Sequence, residues 1–196
     1  MSTAAYRTVG PADCSILFGV PTSEQGFSLQ AENPEEHDFI QSQRLTWPKY
    51  QHFFAGPCCG VLEDLRRWGV QVVEDARIED LAAPFSEGRS VMILFAHWSE
   101  AEGSVELSDG VTDPSHIVAS IPTAFEGILD LCVCHPQALV ARVKADRPGC
   151  VVKYTGTTAT PLLWLYMYHI LFKLLNERPM NYFTALAQAF KTAAML

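Results

Sequence analysis

A chain of 196 residues, 48% of them hydrophobic, fits one domain with enough apolar material for a sizeable core. The formal net charge is −8 and no basic run interrupts it, which excludes general binding to a phosphate backbone. Charged residues are only 18%, which argues against disorder and suggests that a partner covers part of the surface.

Residues 15–19 (SILFG) form a short apolar run closed by glycine and then Pro21, the pattern of a strand. The polar stretch 22–44 reads as an irregular loop excursion, with Glu32, Glu35, Glu36 and Asp38 on a solvated segment. A helix follows: Cys58, Val61, Leu62, Leu65 and Trp68 recur at three- and four-residue steps, and Gly69 is placed to stop it. Residues 70–73 (VQVV) give a strand, and Ile78, Leu81, Ala82 and Phe85 fit another amphipathic helix. Residues 90–96 (SVMILFA) are apolar almost throughout, as expected of a central strand covered on both faces.

Val105, Glu106 and Leu107, followed by Asp109-Gly110, suggest a short strand and a turn. Residues 117–125 suggest a short helix, 128–133 a second central strand and 150–154 a third. Thr160 then Pro161 is a cap followed by proline at the first helical position. The run 162–175 (LLWLYMYHILFKLL) is too short to span hydrocarbon and carries His169 and Lys173, so no transmembrane segment is expected and it reads as a buried helix, or as one that also meets a partner or membrane surface. The last helix has Asn181 as its cap and Phe183, Leu186, Phe190 and Ala193 as its apolar stripe.

This alternation implies parallel βαβ units and an α/β fold: a three-layer sandwich with a mostly parallel central sheet and helices on both faces, formed by residues 1–196 as a single domain. Ligands in such folds sit beyond the carboxyl ends of central strands. The 90–96 strand delivers His97 there. The 128–133 strand delivers Cys134, followed by His135 and Pro136. A cysteine and a histidine at neighbouring rims suit thiol nucleophile chemistry, because the imidazole can take up the thiol proton or stabilise the thiolate. The residues alone also allow a hydrogen-bonded strand-end histidine and a small buried cysteine.

Cys132 is a rival nucleophile, on the same strand face as Cys134. Asp130 shares that face and reads as a buried aspartate bonded to backbone groups. A zinc site built on Cys132, Cys134 and His135 lacks a second ligand pair, and no metal is expected. No cofactor is expected either. Thr155-Gly156-Thr157-Thr158 is a poor phosphate loop, with one glycine and no following lysine, which weakens a flavodoxin-like alternative. Cys58, Cys59, His116 and His169 read as structural. Residues 1–5 (MSTAA) carry no basic or long apolar segment of a secretory signal, so a cytoplasmic location with free thiols is the expectation.

The order of motifs FAHW, VELSDG, LDLCVC, LWLYMYHILFKLL and ALAQAFKTA resembles that of the CHAT-type caspase-like cysteine peptidases over roughly residues 58–194. The resemblance implies that His97 is the catalytic histidine and Cys134 the nucleophile. It further implies a protein substrate, regulation by a protein partner or ligand, and a setting in prokaryotic defence or signalling. The position after the histidine, usually glycine in that family, is Trp98, whose N–H would serve the oxyanion hole and whose bulk would shape or block the cleft. His135 follows the nucleophile where small polar residues are usual. By the same resemblance Asp130, Thr155 and Gly156 are candidates for the pocket that selects a substrate side chain, Asp130 for a basic one. The alternative is an interaction module of the same fold without catalysis.

Overall fold

The computed structural model of the chain describes residues 7–32, 40–99, 103–155 and 160–195. Its strands are β1 (Thr8–Val9), β2 (Cys14–Phe18), β3 (Gln71–Glu74), β4 (Val91–Phe95), β5 (His97–Ser99), β6 (Ser104–Leu107), β7 (Gly110–Thr112), β8 (Ile128–Cys132), β9 (Val151–Tyr154) and β10 (Met180–Asn181). Its α-helices are α1 (Glu24–Gln30), α2 (Trp47–Tyr50), α3 (Gly56–Arg67), α4 (Ala83–Ser86), α5 (Pro114–Ser120), α6 (Gln137–Asp146), α7 (Pro161–Glu177) and α8 (Tyr182–Ala193).

Five strands make the central sheet in the order β3-β2-β4-β8-β9, and every neighbouring pair in it is parallel. All five residues of β4 are buried, as are those of β2 and β8. Alternation along a strand explains this. Val91, Ile93 and Phe95 pack on one face with α3, α7 and α8. Met92 and Leu94 pack on the other with Leu81, Ile117, Leu139 and Val143. The result is the expected three-layer α/β sandwich. Two smaller pairings flank it: β1 with β10, and the antiparallel β5-β6-β7 ribbon that leaves the sheet after β4.

The excursion expected at 22–44 contains a helix. Ser23 caps α1 by accepting a hydrogen bond from the Gly26 N–H at 3.1 Å, and Phe27 turns its ring inward. The helix expected at 78–85 splits into a 3-10 turn (Ile78–Ala82) and α4. The helix expected at 117–125 begins earlier, where the Asp113 side chain accepts from the Ser115 N–H at 2.6 Å. It stops at Ser120, because Ile121 precedes a proline and is extended. In α8 the buried face is Tyr182, Ala185, Leu186 and Ala189, while Phe190 is 38% exposed. The small residues of that face let α8 lie close on α7. Among the described residues no helix is long and apolar enough to cross a membrane.

Candidate active site

β4 and β8 are in register with Phe95 opposite Cys132, and the Ala96 N–H extends the ladder by donating to the Cys132 carbonyl at 3.4 Å. His97 and Cys134 each lie two residues beyond that pair in their own chain segments, past the end of the β4–β8 ladder. The two chains then part. His97 begins β5 and is paired with Glu106 of β6, which is buried. Cys134 enters a reversal over residues 133–136 in which His135 takes a left-handed backbone, φ 49°, and α6 starts at Gln137. Cys134 and His97 are both half-buried, and His135 is exposed.

On the α7 side of the sheet, His97 forms part of the wall of a partly open cavity of about 440 Å³. Val20 lines it from the end of β2, where Gly19 donates its N–H to the Phe95 carbonyl at 2.8 Å and holds this loop against β4. Thr160 and Pro161 line it from the start of α7. The remaining wall comes from Phe27, Ile40, Leu45, Tyr50 and Phe54, with the buried side chain of Gln30, none of which the sequence reading singled out. The signal available for them was the aromatic spacing Trp47, Tyr50, Phe54, one helical face of residues three and four apart.

The other thiols are held back by their surroundings. Burial, with the Asp130 carboxylate adding to it, pushes the Cys132 thiol far up, and burial does the same to Cys14. Cys58 is pushed up to about 12 by burial, and Cys150 to about 11 for the same reason. Cys59 is raised to about 11 by burial and by Glu74, whose Oε2 lies 3.6 Å from its sulfur. The thiolate is the reactive species, so these groups are slow nucleophiles at neutral pH. Iodoacetamide at neutral pH is therefore expected to modify Cys134 before the other five, read by peptide mass mapping of the folded protein. Earlier modification of Cys132 would transfer the candidate nucleophile to that residue.

Asp130 has no exposed surface. Its Oδ2 accepts hydrogen bonds from the hydroxyls of Tyr168, at 2.5 Å, and Tyr182, at 2.8 Å. Its Oδ1 faces Lys153 Nζ at 2.9 Å, on the neighbouring strand. Lys153 in turn donates to the Tyr168 hydroxyl at 3.0 Å and lies over the Trp164 ring, 5.4 Å from its centroid. The carboxylate is thus engaged within the packed layer beneath α7 and α8, with no face turned to a substrate. Its partners are side chains, whereas the sequence suggested either backbone groups or a substrate cation.

Burial and the Asp130 charge raise both phenols well above 10. A group whose folded pKa is raised contributes stability that is fully present below its unfolded value, about 10 here, and lost as pH rises beyond it. Of the six tyrosines, Tyr168 and Tyr182 are expected to stay protonated in alkali until the fold opens, so an absorbance titration of tyrosinate should end in a cooperative step coincident with unfolding. Smooth ionisation of all six with the fold intact would contradict the network.

The remaining candidates fall at different places. Trp98 is paired with Val105 and its side chain packs against the second core, the one that holds Met92, Leu94 and Val105, and it is not among the residues that line the His97 cavity. Its φ is not positive, so glycine is not needed at this position, and its bulk does not fill that cavity. Thr155 follows β9 and is half-buried, whereas Gly156 lies outside the described residues. His169 is a neighbour of Asp64, with Nε2 3.0 Å from Oδ2, and is stacked near Trp68. Among the described residues no group of three or more His, Cys, Asp or Glu is gathered as a metal site would need. The chain matches no protein-family model and no curated protein.

Proposed function

We propose that the chain is a cysteine endopeptidase of the caspase-like type, in which Cys134 attacks a peptide carbonyl and His97 manages the proton. The observation that carries this reading is the parallel register of β4 and β8: His97 and Cys134 each follow by two residues the same paired position, Phe95 opposite Cys132, and His97 lines an accessible cavity. A strand leading to the histidine, a short strand and turn, and a strand leading to the cysteine follow one another in the order of the peptidases that the sequence resembles. The start of α6, three residues beyond Cys134, brings first-turn N–H groups, which have no acceptor within the helix, to the turn that follows the thiol.

In the acylation step the Cys134 sulfur forms a C–S bond to the carbonyl carbon, and the C–N bond breaks as His97 delivers a proton to the departing amine. Water then cleaves the thioester, returning the thiol and releasing the new carboxyl end. A regulatory protein partner or ligand, a place in prokaryotic defence or signalling, and a cytoplasmic location belong to this proposal. The test is incubation with protein substrates and genomic neighbours: cleavage by the wild type and none by Cys134→Ala supports it, and cleavage that persists in Cys134→Ala removes it.

A second reading is an interaction module of the same fold. It is favoured by Leu163 and Tyr166 on α7, which are 63% and 47% exposed. It requires Cys134 to be inert toward electrophilic peptides.

A further inference from the structure

We propose that the cavity beside His97 receives a large apolar side chain of the substrate, at or next to the bond that is cut. This rests on the cysteine-peptidase reading of His97 and Cys134 and adds to it the class of sequence that is cleaved.

Three observations carry it. The first is the chemistry of the walls. Phe27, Ile40, Leu45, Tyr50 and Phe54 face the cavity together with His97, and none of its described lining residues is Asp, Glu, Lys or Arg. A basic or acidic side chain entering there would lose its hydration and meet no carboxylate, lysine or arginine among the described lining residues, whereas an apolar one gains by leaving water. The second is the fate of Asp130. It is the acidic residue on the strand that leads to the nucleophile, and its oxygens are held by Tyr168, Tyr182 and Lys153, so it offers nothing to a substrate cation.

The third is preorganisation. The Tyr50 hydroxyl donates to the Pro21 carbonyl at 2.9 Å, and its ring lies 4.9 Å from Phe27 and 5.1 Å from Phe54, centroid to centroid. The loop before α1 is tied back as well, because the Thr22 N–H and hydroxyl both donate to Asp75 Oδ1, at 2.5 and 3.0 Å. A volume of about 440 Å³ is within the range of pockets that take small organic ligands, and it leaves room for an aromatic ring. Cys134 is not part of these walls. A side chain seated in the cavity would place its backbone at the rim that His97 shares, one strand away from the thiol.

The experiment uses the full chain and tripeptide acyloxymethyl ketones with Phe, Leu, Arg or Asp in the two positions before the ketone. The Cys134 thiolate displaces the acyloxy group: a C–S bond forms, the C–O bond breaks, and a carboxylate leaves with the electron pair. Labelling is followed by intact mass and located by peptide mapping. The Phe and Leu probes are expected to label Cys134 about tenfold or more faster than the Arg and Asp probes. In Leu45→Lys, a change at a half-exposed wall position, the Phe probe is expected to lose about tenfold in rate. Equal rates across the four wild-type reactions, or faster labelling by Arg or Asp, overturn the apolar pocket and leave the dyad standing. If no probe labels Cys134 in the folded wild type, the peptidase reading fails and this inference falls with it.

Discussion

Asp130→Ala is expected to destabilise the fold by about 3–5 kcal/mol, the scale for removing one partner of a buried ion pair. The carboxylate is the common acceptor of two buried phenols and the counter-ion of a lysine whose side chain is only 10% exposed. Without it, the Lys153 ammonium keeps the Tyr168 hydroxyl and the Trp164, Tyr168 and Phe190 rings as close neighbours. A cation held by one hydroxyl and ring faces, with no counter-ion in a mostly buried layer, is poorly compensated. The two hydroxyls lose their acceptor and pay for desolvation without return. Asp130→Asn should be nearly as costly, because its amide sets N–H donors against three groups that already donate. Urea unfolding measures the effect: the midpoint should fall with the slope unchanged. A loss below about 1 kcal/mol in both variants, within the usual spread for ordinary substitutions, would mean that the network does not hold the layer together.

His97→Ala is expected to lower kcat/KM about 10²–10⁴-fold, the usual contribution of a positioned general acid–base. The loss should fall mainly on kcat, because proton transfer is needed in the transition state and not for binding. Cys134→Ala should lose more, since no other thiol of the chain can take its place: Cys132 is sealed in the core and its thiol is pushed far up by burial. Neither change should move the unfolding midpoint much, because both side chains sit at the rim of the sheet and are half-buried. A His97→Ala enzyme with unaltered kcat/KM would remove the histidine from the chemistry while leaving the thiol in question.

The strands of the central sheet were legible because parallel strands covered on both faces are continuous apolar runs. SVMILFA and ILDLCV needed no knowledge of their neighbours. The strand ends were legible for the same reason: His97 and Cys134 are where those runs stop. The cavity walls were not. Phe27 lies on a seven-residue helix in a polar stretch, and it becomes a wall only when Asp75, 53 residues away from Thr22, ties the preceding loop down. Asp130 shows the same limit. Its two phenolic partners are 38 and 52 residues away, and no local pattern marks a carboxylate that they will meet. The helix α6 also went unread, since Leu139, Val140 and Val143 form too short a stripe to stand out after Pro136. Trp98 looked like an obstruction in the sequence, and the alternation of β5 turns it toward the other core.

The most direct measurement is the alkylation rate of Cys134 at neutral pH in the folded wild type and in His97→Ala, with the five other cysteines as internal references. Communication between the two strand ends requires the rate at Cys134 to drop about tenfold or more when the imidazole is removed, with the references unmoved. The same rate at Cys134 in both proteins would show that the histidine and the thiol do not act on one another.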